Sequence, residues 1–260
     1  MRVIALFVSA LLSFPPHSQQ TAVTSPQGSQ FLQKALIALA PNLSLTDVTL
    51  SGSVRRIAGS DDQSGSAVLK ALSSGAARTD LSFSSGTRSE VVNSSSSTPT
   101  GAWSGFDGVS HRIAFHNLLS EPAWFFPVFA VSHRLSSGYI ATDLGPETHN
   151  DQLVEHISVA QISVSQLAGG AAQFQQLSRV EFYLDSNTFL PTDISFNIHP
   201  DDNVLIDIPV EIHFSDYRSV NGVQVPFHVE KFLNNSLVLD FQAQSAAINS
   251  GLSVSEFAIQ

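Results

Sequence analysis

The 260-residue sequence contains no cysteine and few charged residues, and each absence excludes a class of protein. Without cysteine there are no disulfides, thiolate metal sites or cysteine nucleophiles, and no residue to carry the lipid of a bacterial lipoprotein. Charged residues make up 13% of the chain, which is about half the usual share. Lys and Arg number 12 and the formal net charge is −10, which argues against binding to nucleic acid, because phosphate contacts need clustered basic residues.

Long apolar runs are also missing, apart from a short one at the N-terminus. Arg2 precedes an apolar stretch from Val3 to Phe14, and Pro15 and a polar tract follow. This order is typical of a signal peptide, and about 12 apolar residues are too few to span a membrane. We therefore expect residues 1–22 to be a signal peptide and the mature chain to be exported without a membrane span. A buried or interfacial N-terminal helix is the alternative.

Hydrophobic periodicity predicts a helix near the start of the mature chain and strands over most of the rest. Residues 29–40 carry apolar side chains at helical spacing, and Pro41 ends the pattern. From Asp47 the apolar period changes to two, which indicates half-buried strands. Turn sequences separate further strands through the last third of the chain. Because no linker divides the sequence, we expect residues 23–260 to form a single domain.

The segment 117–135, NLLSEPAWFFPVFAVSHRL, interrupts the strand pattern. Ser120 suits a helix N-cap, Pro122 suits the first turn, and Pro127 is expected to kink the helix or split it into two pieces. A helix that is apolar nearly all round must be buried or must line an apolar cavity. Residues 166–177, which include a Gly-Gly pair, are predicted to be a weak helix or a long loop.

These elements predict a mainly β (α+β) fold, a strongly curved antiparallel sheet with helices covering its concave apolar face. Aromatic residues recur on single strand faces and face the aromatic 117–135 segment. The ordinary interpretation is a packed core. The functional interpretation is that curvature leaves an apolar cavity for an acyl chain. The residues predicted to line that cavity are Leu81, Phe83, Trp124, Phe125, Phe129, Phe182, Phe196, Phe214 and Phe227.

Catalytic motifs are not apparent, so the sequence predicts a protein that is not an enzyme and needs no cofactor. It lacks G-x-S-x-G, H-E-x-x-H, G-x-G-x-x-G and a P-loop. The spacing of its nine histidines does not converge on a metal, so no metal site is predicted. An exported hydrolase remains an alternative, in which a histidine meets an acid in a cleft. The histidines considered for that role are His111, His116, His156 and His213.

The stretch FSDYRSVNGVQVPF, residues 214–227, predicts a β-hairpin rather than a catalytic corner. Asn221-Gly222 favours a two-residue type I′ turn, in which both central residues need positive φ. Arg218 then lies beside the turn, within reach of Asp216. The predicted register pairs Val220 with Val223, Phe214 with Val229 and His213 with Glu230.

Three stretches together resemble a known family. FYLDSNTFLPTDISF carries Asp-x-x-Thr-x-x-Pro, FSDYRSVNGVQVPFHVE carries Tyr-Arg-x-x-x-Gly-x-x-x-Pro, and INSGLSVSEFAI lies near the C-terminus. Their order resembles the LolA-like periplasmic lipoprotein-carrier, or outer-membrane lipoprotein-sorting, superfamily, including its sensor and glycolipid-binding relatives. The resemblance implies a half-barrel of about eleven antiparallel strands with a helical lid over an apolar cavity.

The resemblance also implies a function and an arginine with a defined role. The expected function is a periplasmic, non-enzymatic carrier that binds a lipid or lipoprotein acyl chain. The alternative is an adaptor or sensor whose helices fill the cavity and which contacts envelope proteins. The carrier proper uses an arginine to hold its lid shut, and Arg78 is the candidate for that residue.

Overall fold

The structure, a computed structural model, describes residues 26–41, 44–94, 99–120, 123–162 and 168–258. The predicted signal peptide, residues 1–22, lies outside the described residues. The α-helices are α1 (Pro26–Leu39), α2 (Pro127–Arg134) and α3 (Ala168–Leu177), and 3₁₀ helices cover Phe115–Leu119 and Val254–Glu256. The strands are β1 (Asp47–Ala58), β2 (Asp61–Leu72), β3 (Ala76–Phe83), β4 (Gly86–Asn93), β5 (Thr100–Ser104), β6 (Ser110–Arg112), β7 (Tyr139–His149), β8 (Gln152–Gln161), β9 (Val180–Asp185), β10 (Pro191–Ile198), β11 (Ile208–Val220), β12 (Val223–Leu233) and β13 (Ser236–Ile248).

All the described strands belong to one antiparallel sheet, with β6 at one edge and β7 at the other. Strands β1 to β6 form one meander and β7 to β13 form a second, and the two join where β13 pairs with β1. The sheet is curved and does not close on itself. The predicted fold class is therefore confirmed, although the described residues contain thirteen strands rather than about eleven.

The chain passes from the β6 edge to the β7 edge through the segment that contains α2, and this segment covers the concave face together with α1. Helix α1 contacts α2 as well as strands β7, β8 and β12. Its residues Leu32, Ala35 and Leu39 are fully buried, which confirms the helical pattern predicted for 29–40. No helix in the described part of the chain is long and apolar enough to cross a membrane.

The segment 117–135, called the crossing segment below, is not a helix capped by Ser120, and that part of the prediction is wrong. Ser120 instead follows the 3₁₀ helix as its C-cap, and residues 123–126 form a turn. Helix α2 begins at Pro127 itself, with Phe126 as its N-cap. Proline lacks an N–H and fits the first helical turn, so Pro127 starts a new helix and splits the segment, as one of the two predicted outcomes required. Pro122 lies outside the described residues.

Alternation along the strands sorts side chains between the two faces of the sheet. Val48, Leu50 and Val54 of β1 are buried on the concave face, as the period of two predicts. The same face of the second meander buries Phe182 and Ile212 completely. The concave face therefore carries the main apolar core, and the outer face is mostly polar apart from a small cluster of Leu72, Ala76, Val91 and Phe257.

The hairpin between β11 and β12 has the predicted register. Val220 pairs with Val223, Phe214 with Val229 and His213 with Glu230. Asn221 and Gly222 have φ values of 51° and 84°, as a type I′ turn requires. Arg218 Nη2 lies 2.6 Å from Asp216 Oδ2, so the guanidinium pairs within its own strand beside the turn, as predicted.

The segment 166–177 forms α3 from Ala168 onward, so the helical alternative is confirmed for its described part. Asp185 accepts hydrogen bonds from the backbone N–H groups of Asn187 and Thr188. That carboxylate therefore stabilises the turn between β9 and β10, as Asp side chains commonly do.

Candidate functional site

The residues predicted to line a cavity come together, mostly as a packed core. Phe83 is partly buried, whereas the other eight are buried in one apolar cluster. Trp124, Phe125 and Phe129 contribute to this cluster from the crossing segment. Burial places these side chains between helix and sheet. Their role as ligand contacts stays a prediction.

A cavity of about 400 Å³ lies at one end of the concave face, beside Trp124. It opens where the β1–β2 turn approaches the end of β12 and the start of β13. Of the residues predicted from the sequence, Leu81 and Trp124 line it. The other lining residues are Arg56, Ile57, Ala58, Gly59, Thr79, Arg88, Glu90, Lys231, Leu233, Val238 and Leu239.

Three cations point inward at this cavity because strand alternation places them on the apolar side. Arg88 pairs across the strands with Leu81, and both Arg56 and Lys231 pair with Leu239. Laterally paired residues share a face of the sheet. The cations therefore lie on the concave face, among the apolar residues that line the cavity.

Aromatic rings hold these cations in place at the cavity rim. The Arg88 guanidinium lies 4.4 Å from the centroid of the Trp103 ring, and Lys231 Nζ lies 5.0 Å from that of Trp124. Arg56 lies 5.9 Å from the Phe106 ring centroid. Burial lowers the pKa of Arg88 from its ordinary value, but a guanidinium remains charged at neutral pH. The cavity thus combines apolar walls with a positively charged rim that also contains Glu90.

Sequence reasoning missed these cations, although the alternation contained a way to find them. The buried positions of β1 run through Leu50, Gly52 and Val54, so the next inward position is Arg56. A charged residue at an inward position of an apolar face is costly unless it contacts solvent, a partner or a ligand. The position of Arg88 depends on pairing with Leu81, which only the register of β3 and β4 reveals.

Arg78, the candidate lid arginine, lies on the outer face and contacts the C-terminal segment rather than the helices. It alternates with the inward Leu81 and Thr79, and its Nε lies 2.6 Å from Asp80 Oδ2. Its Nη1 donates hydrogen bonds to the carbonyl oxygens of Glu256 and Ala258. These contacts attach the C-terminal segment to β3, on the side of the sheet away from α1 and α2.

A different arginine, Arg134 of α2, connects the two parts of the crossing segment. It is 5% exposed and donates hydrogen bonds to the carbonyl oxygens of Ser120, at 2.9 Å, and Ala130, at 3.2 Å. Its guanidinium carbon lies 5.7 Å from the centroid of the Phe182 ring. Burial lowers the pKa of Arg134. The residue therefore fastens the start of the crossing segment to α2 above the apolar core.

The four histidines considered for a hydrolase fall into two groups. His156 lies 3.1 Å from a Glu147 oxygen, and His213 lies 2.9 Å from a Glu211 oxygen, both on the outer face. His111 stacks on Trp103, and His116 packs edge-on against His199. The contacts with acids that a hydrolase would need exist for two of the four histidines. They lie on the opposite side of the sheet from the cavity.

Solved structures identify the fold. No protein-family model matches the chain by sequence, and neither does any curated protein sequence. An outer membrane lipoprotein-sorting protein domain from Vibrio parahaemolyticus is similar over 89% of this chain and 96% of its own, with a TM-score of 0.58 and 13% identity. A LolA-superfamily protein from Nitrosomonas europaea is similar over 89% and 97%, with a TM-score of 0.53 and 11% identity. The fold is LolA-like.

A third similar structure is a DUF1329-family protein from Desulfovibrio piger, which covers 89% of this chain and 96% of its own. Its TM-score is 0.54 at 11% identity. At identities this low, the structural similarity establishes the fold alone. The ligand must be inferred from the residues of this chain. The resemblance seen in the sequence is confirmed at the level of fold.

Proposed function

We propose that the protein is an exported carrier or binding protein, acting in the periplasm without catalysis, whose LolA-like domain spans residues 23–260. Its ligand is a lipid or lipoprotein acyl chain that enters the cavity beside Trp124. The observation that carries the proposal is the combination of apolar walls with the three inward cations, Arg56, Arg88 and Lys231. These cations suit a lipid with an anionic head group.

The size and lining of the cavity support a ligand of this class. Its volume of about 400 Å³ falls within the range typical of small-molecule sites. Each buried CH₂ group contributes about 0.8 kcal/mol, so a short stretch of chain offsets much of the entropy lost on binding. Leu81, Leu233 and Leu239 offer apolar surface to the chain, while the cations are positioned for the head group. The name of the Vibrio protein, which refers to lipoprotein sorting, agrees with a ligand that carries acyl chains.

Binding of a fluorescent fatty acid tests the proposal, with Leu233→Trp as the blocking variant. Leu233 is half-buried at the cavity wall, so the larger ring reduces the space for a chain with little cost to the core. Leu205, which is 83% exposed, provides the matched control Leu205→Trp. We expect Leu233→Trp to weaken binding at least about tenfold, equivalent to about 1.4 kcal/mol, and Leu205→Trp to leave it unchanged.

Arg88→Gln tests the head-group contact separately. We expect it to weaken binding of a fatty acid several-fold and to leave binding of the corresponding fatty alcohol unchanged, since the alcohol carries no charge. Equal weakening for both ligands would contradict a role for Arg88 at the head group.

The second candidate is an adaptor or sensor that acts through contacts with envelope proteins. Complete burial of Phe125 and Phe126 favours it, because these side chains fill much of the space between the crossing segment and the sheet. Absence of fatty-acid binding, together with absence of lipid in native mass spectra of protein purified from periplasm, would reject the carrier. Capture of one defined envelope protein under those conditions would support the adaptor.

A further inference from the structure

A cluster of imidazole and carboxylate groups lies on the outer face of the sheet, opposite the cavity. Its residues come from three strands, with His149 at the end of β7, Asp193 on β10, and Glu211 and His213 on β11. Alternation places the β10 and β11 members outward because Ile194 and Ile212, their neighbours in sequence, are buried in the core. The arrangement follows from register and is not visible as a spacing in the sequence.

Metal-ligating atoms converge in this cluster at the separations a small cation requires. Glu211 Oε1 lies 3.0 Å from His149 Nε2 and 2.9 Å from His213 Nε2, and Asp193 Oδ1 lies 3.4 Å from His213 Nε2. Potential ligand atoms of His149, Asp193 and Glu211 all lie within 4.8 Å of one another. Tetrahedral zinc with bonds of about 2.0–2.2 Å has ligand atoms roughly 3.4 Å apart. His149 and His213 both contact Glu211 Oε1, so side-chain rotation brings the two imidazoles to a common centre beside the two carboxylates.

The side-chain amide of Asn150 lies among three of the four groups. Its Nδ2 atom lies 3.0 Å from Glu211 Oε1, 3.3 Å from Asp193 Oδ1 and 3.4 Å from His213 Nε2. One electropositive donor therefore occupies a position that three potential acceptors surround. Glu211 Oε1 has three nitrogen neighbours, whereas a carboxylate oxygen offers two lone pairs. A divalent cation bound here would displace the Asn150 amide and replace the contacts that Glu211 Oε1 makes with the two histidines.

The surroundings hold the cluster rigid while leaving it accessible. The His149 ring stacks on Tyr183 at 3.7 Å between centroids, with 5° between the planes. Asn150 and Asp151 both have positive φ and form the two-residue β7–β8 turn that positions the end of β7. Asp193 is 4% exposed, but Glu211 also lines a cleft of about 460 Å³ between α3 and the sheet. An ion can therefore reach the cluster from solvent.

We propose that His149, Asp193, Glu211 and His213 bind a divalent transition metal of the Zn²⁺ type. Two imidazole nitrogens and two carboxylate oxygens match the ligands and the four-coordinate geometry that zinc prefers, and two carboxylates balance its charge. The ion ties the β7–β8 hairpin to β10 and β11 across the outer face. The site is separate from the acyl-chain cavity and does not depend on it.

Metal titration of the purified full chain, stripped with a chelator, tests the site. We expect one Zn²⁺ per chain by calorimetry and a higher Tm with Zn²⁺ than with the same concentration of Mg²⁺, because a ligand that binds the folded state stabilises it. His213→Gln and Glu211→Gln are each expected to weaken Zn²⁺ binding at least about tenfold. His228→Gln is the matched control, since His228, Glu230 and Asp240 form a second group on the same face whose potential ligand atoms also lie within 4.8 Å of one another.

The outcomes separate a built site from surface histidines that bind metal. Equal Tm values with Zn²⁺ and Mg²⁺, or equal weakening by His228→Gln and His213→Gln, would overturn the proposal. Circular dichroism of the metal-free variants shows whether they fold. If they do not, the absorption spectrum of Co²⁺ bound to the unaltered chain decides: a tetrahedral spectrum supports the site, and an octahedral one overturns it.

Discussion

Two rows of side chains run across the same strands, one residue apart and on opposite faces. The inner row pairs Ile157 with Phe182, Phe182 with Ile194, and Ile194 with Ile212. The outer row uses the residue before or after the inner one on each strand. Its members pair laterally in the order His156, Tyr183, Asp193, His213, Glu230 and Asp240.

The contrast shows that one set of strands forms two chemically different surfaces. The inner row is stabilised by apolar burial, which does not depend on pH. The outer row and the contacts around it consist of hydrogen bonds and ion pairs between titratable groups, so its stability depends on pH. At its β12 end the inner row changes character, since Ile212 pairs with Lys231, and the cavity opens there. The two faces should therefore respond differently to substitution and to pH.

The largest expected effect comes from Phe182→Ala on the inner row. Phe182 is fully buried, so its removal should lower the free energy of unfolding by about 4 kcal/mol, through lost burial and the resulting cavity. Tyr183→Phe, on the outer row beside Phe182, removes one hydroxyl and keeps the ring that stacks on His149 and His156, so it should cost about 1 kcal/mol. Urea unfolding at pH 7 measures both. Equal losses would remove the distinction between the faces.

An intermediate effect is expected from Asp47→Asn, where β1 meets the C-terminal segment on the outer side. Asp47 is 1% exposed and accepts hydrogen bonds from Ser250, Gly251 and Thr46. Burial raises its pKa, but these hydrogen bonds outweigh it, so the folded pKa lies below the ordinary value. We expect the variant to lose about 3 kcal/mol at pH 7, since the bonds to the charged carboxylate are weakened.

The pH dependence of that loss distinguishes the faces further. Because the folded pKa of Asp47 is depressed, its stabilisation is fully present above the unfolded pKa of about 3.9 and disappears as pH falls through the lower folded value. The difference between the original chain and Asp47→Asn should therefore shrink in acid, whereas the Phe182→Ala difference should not. Urea midpoints from pH 2.5 to 7 test this. A constant Asp47→Asn difference would contradict it.

The smallest effect is expected from Arg55→Gln, also on the outer face. Arg55 makes two hydrogen bonds to Asp62, at 2.8 and 2.6 Å, but both side chains are about half exposed. Solvent screening makes such pairs nearly neutral for stability. Thermal unfolding at low and high salt should show no measurable change in Tm. A loss as large as that of Asp47→Asn would mean that exposure does not decide which outer-face contacts matter.

Much of the fold could be predicted because local patterns agree with it. The period of two at Val48, Leu50 and Val54 and the Asn221-Gly222 turn each depend on a few neighbouring residues. The Ser120 cap was wrong because a local preference for capping gave way to the start of α2 at Pro127. Cap preferences of about 1 kcal/mol are easily overridden by burial of the aromatic side chains around them.

The functional surfaces were less predictable because they depend on contacts between distant strands. Arg56 faces the cavity beside Leu239, with which it pairs where β1 meets β13, and Arg78 contacts the chain end near Glu256. His149 and Glu211 are 62 residues apart in sequence, yet their side chains lie 3.0 Å apart. No spacing within a strand indicates such a contact.

The sequence by itself determined the class of fold, the apolar concave face and the β11–β12 hairpin, because each follows from periodicity or turn chemistry within a short stretch. Tertiary structure decided where the charged residues meet. The lateral register of the strands placed Arg56, Arg88 and Lys231 at one cavity, and it gathered His149, Asp193, Glu211 and His213 on the other face. A two-residue turn fixes register locally, as at Asn221-Gly222, whereas the register between strands far apart in sequence appears only once the sheet has formed.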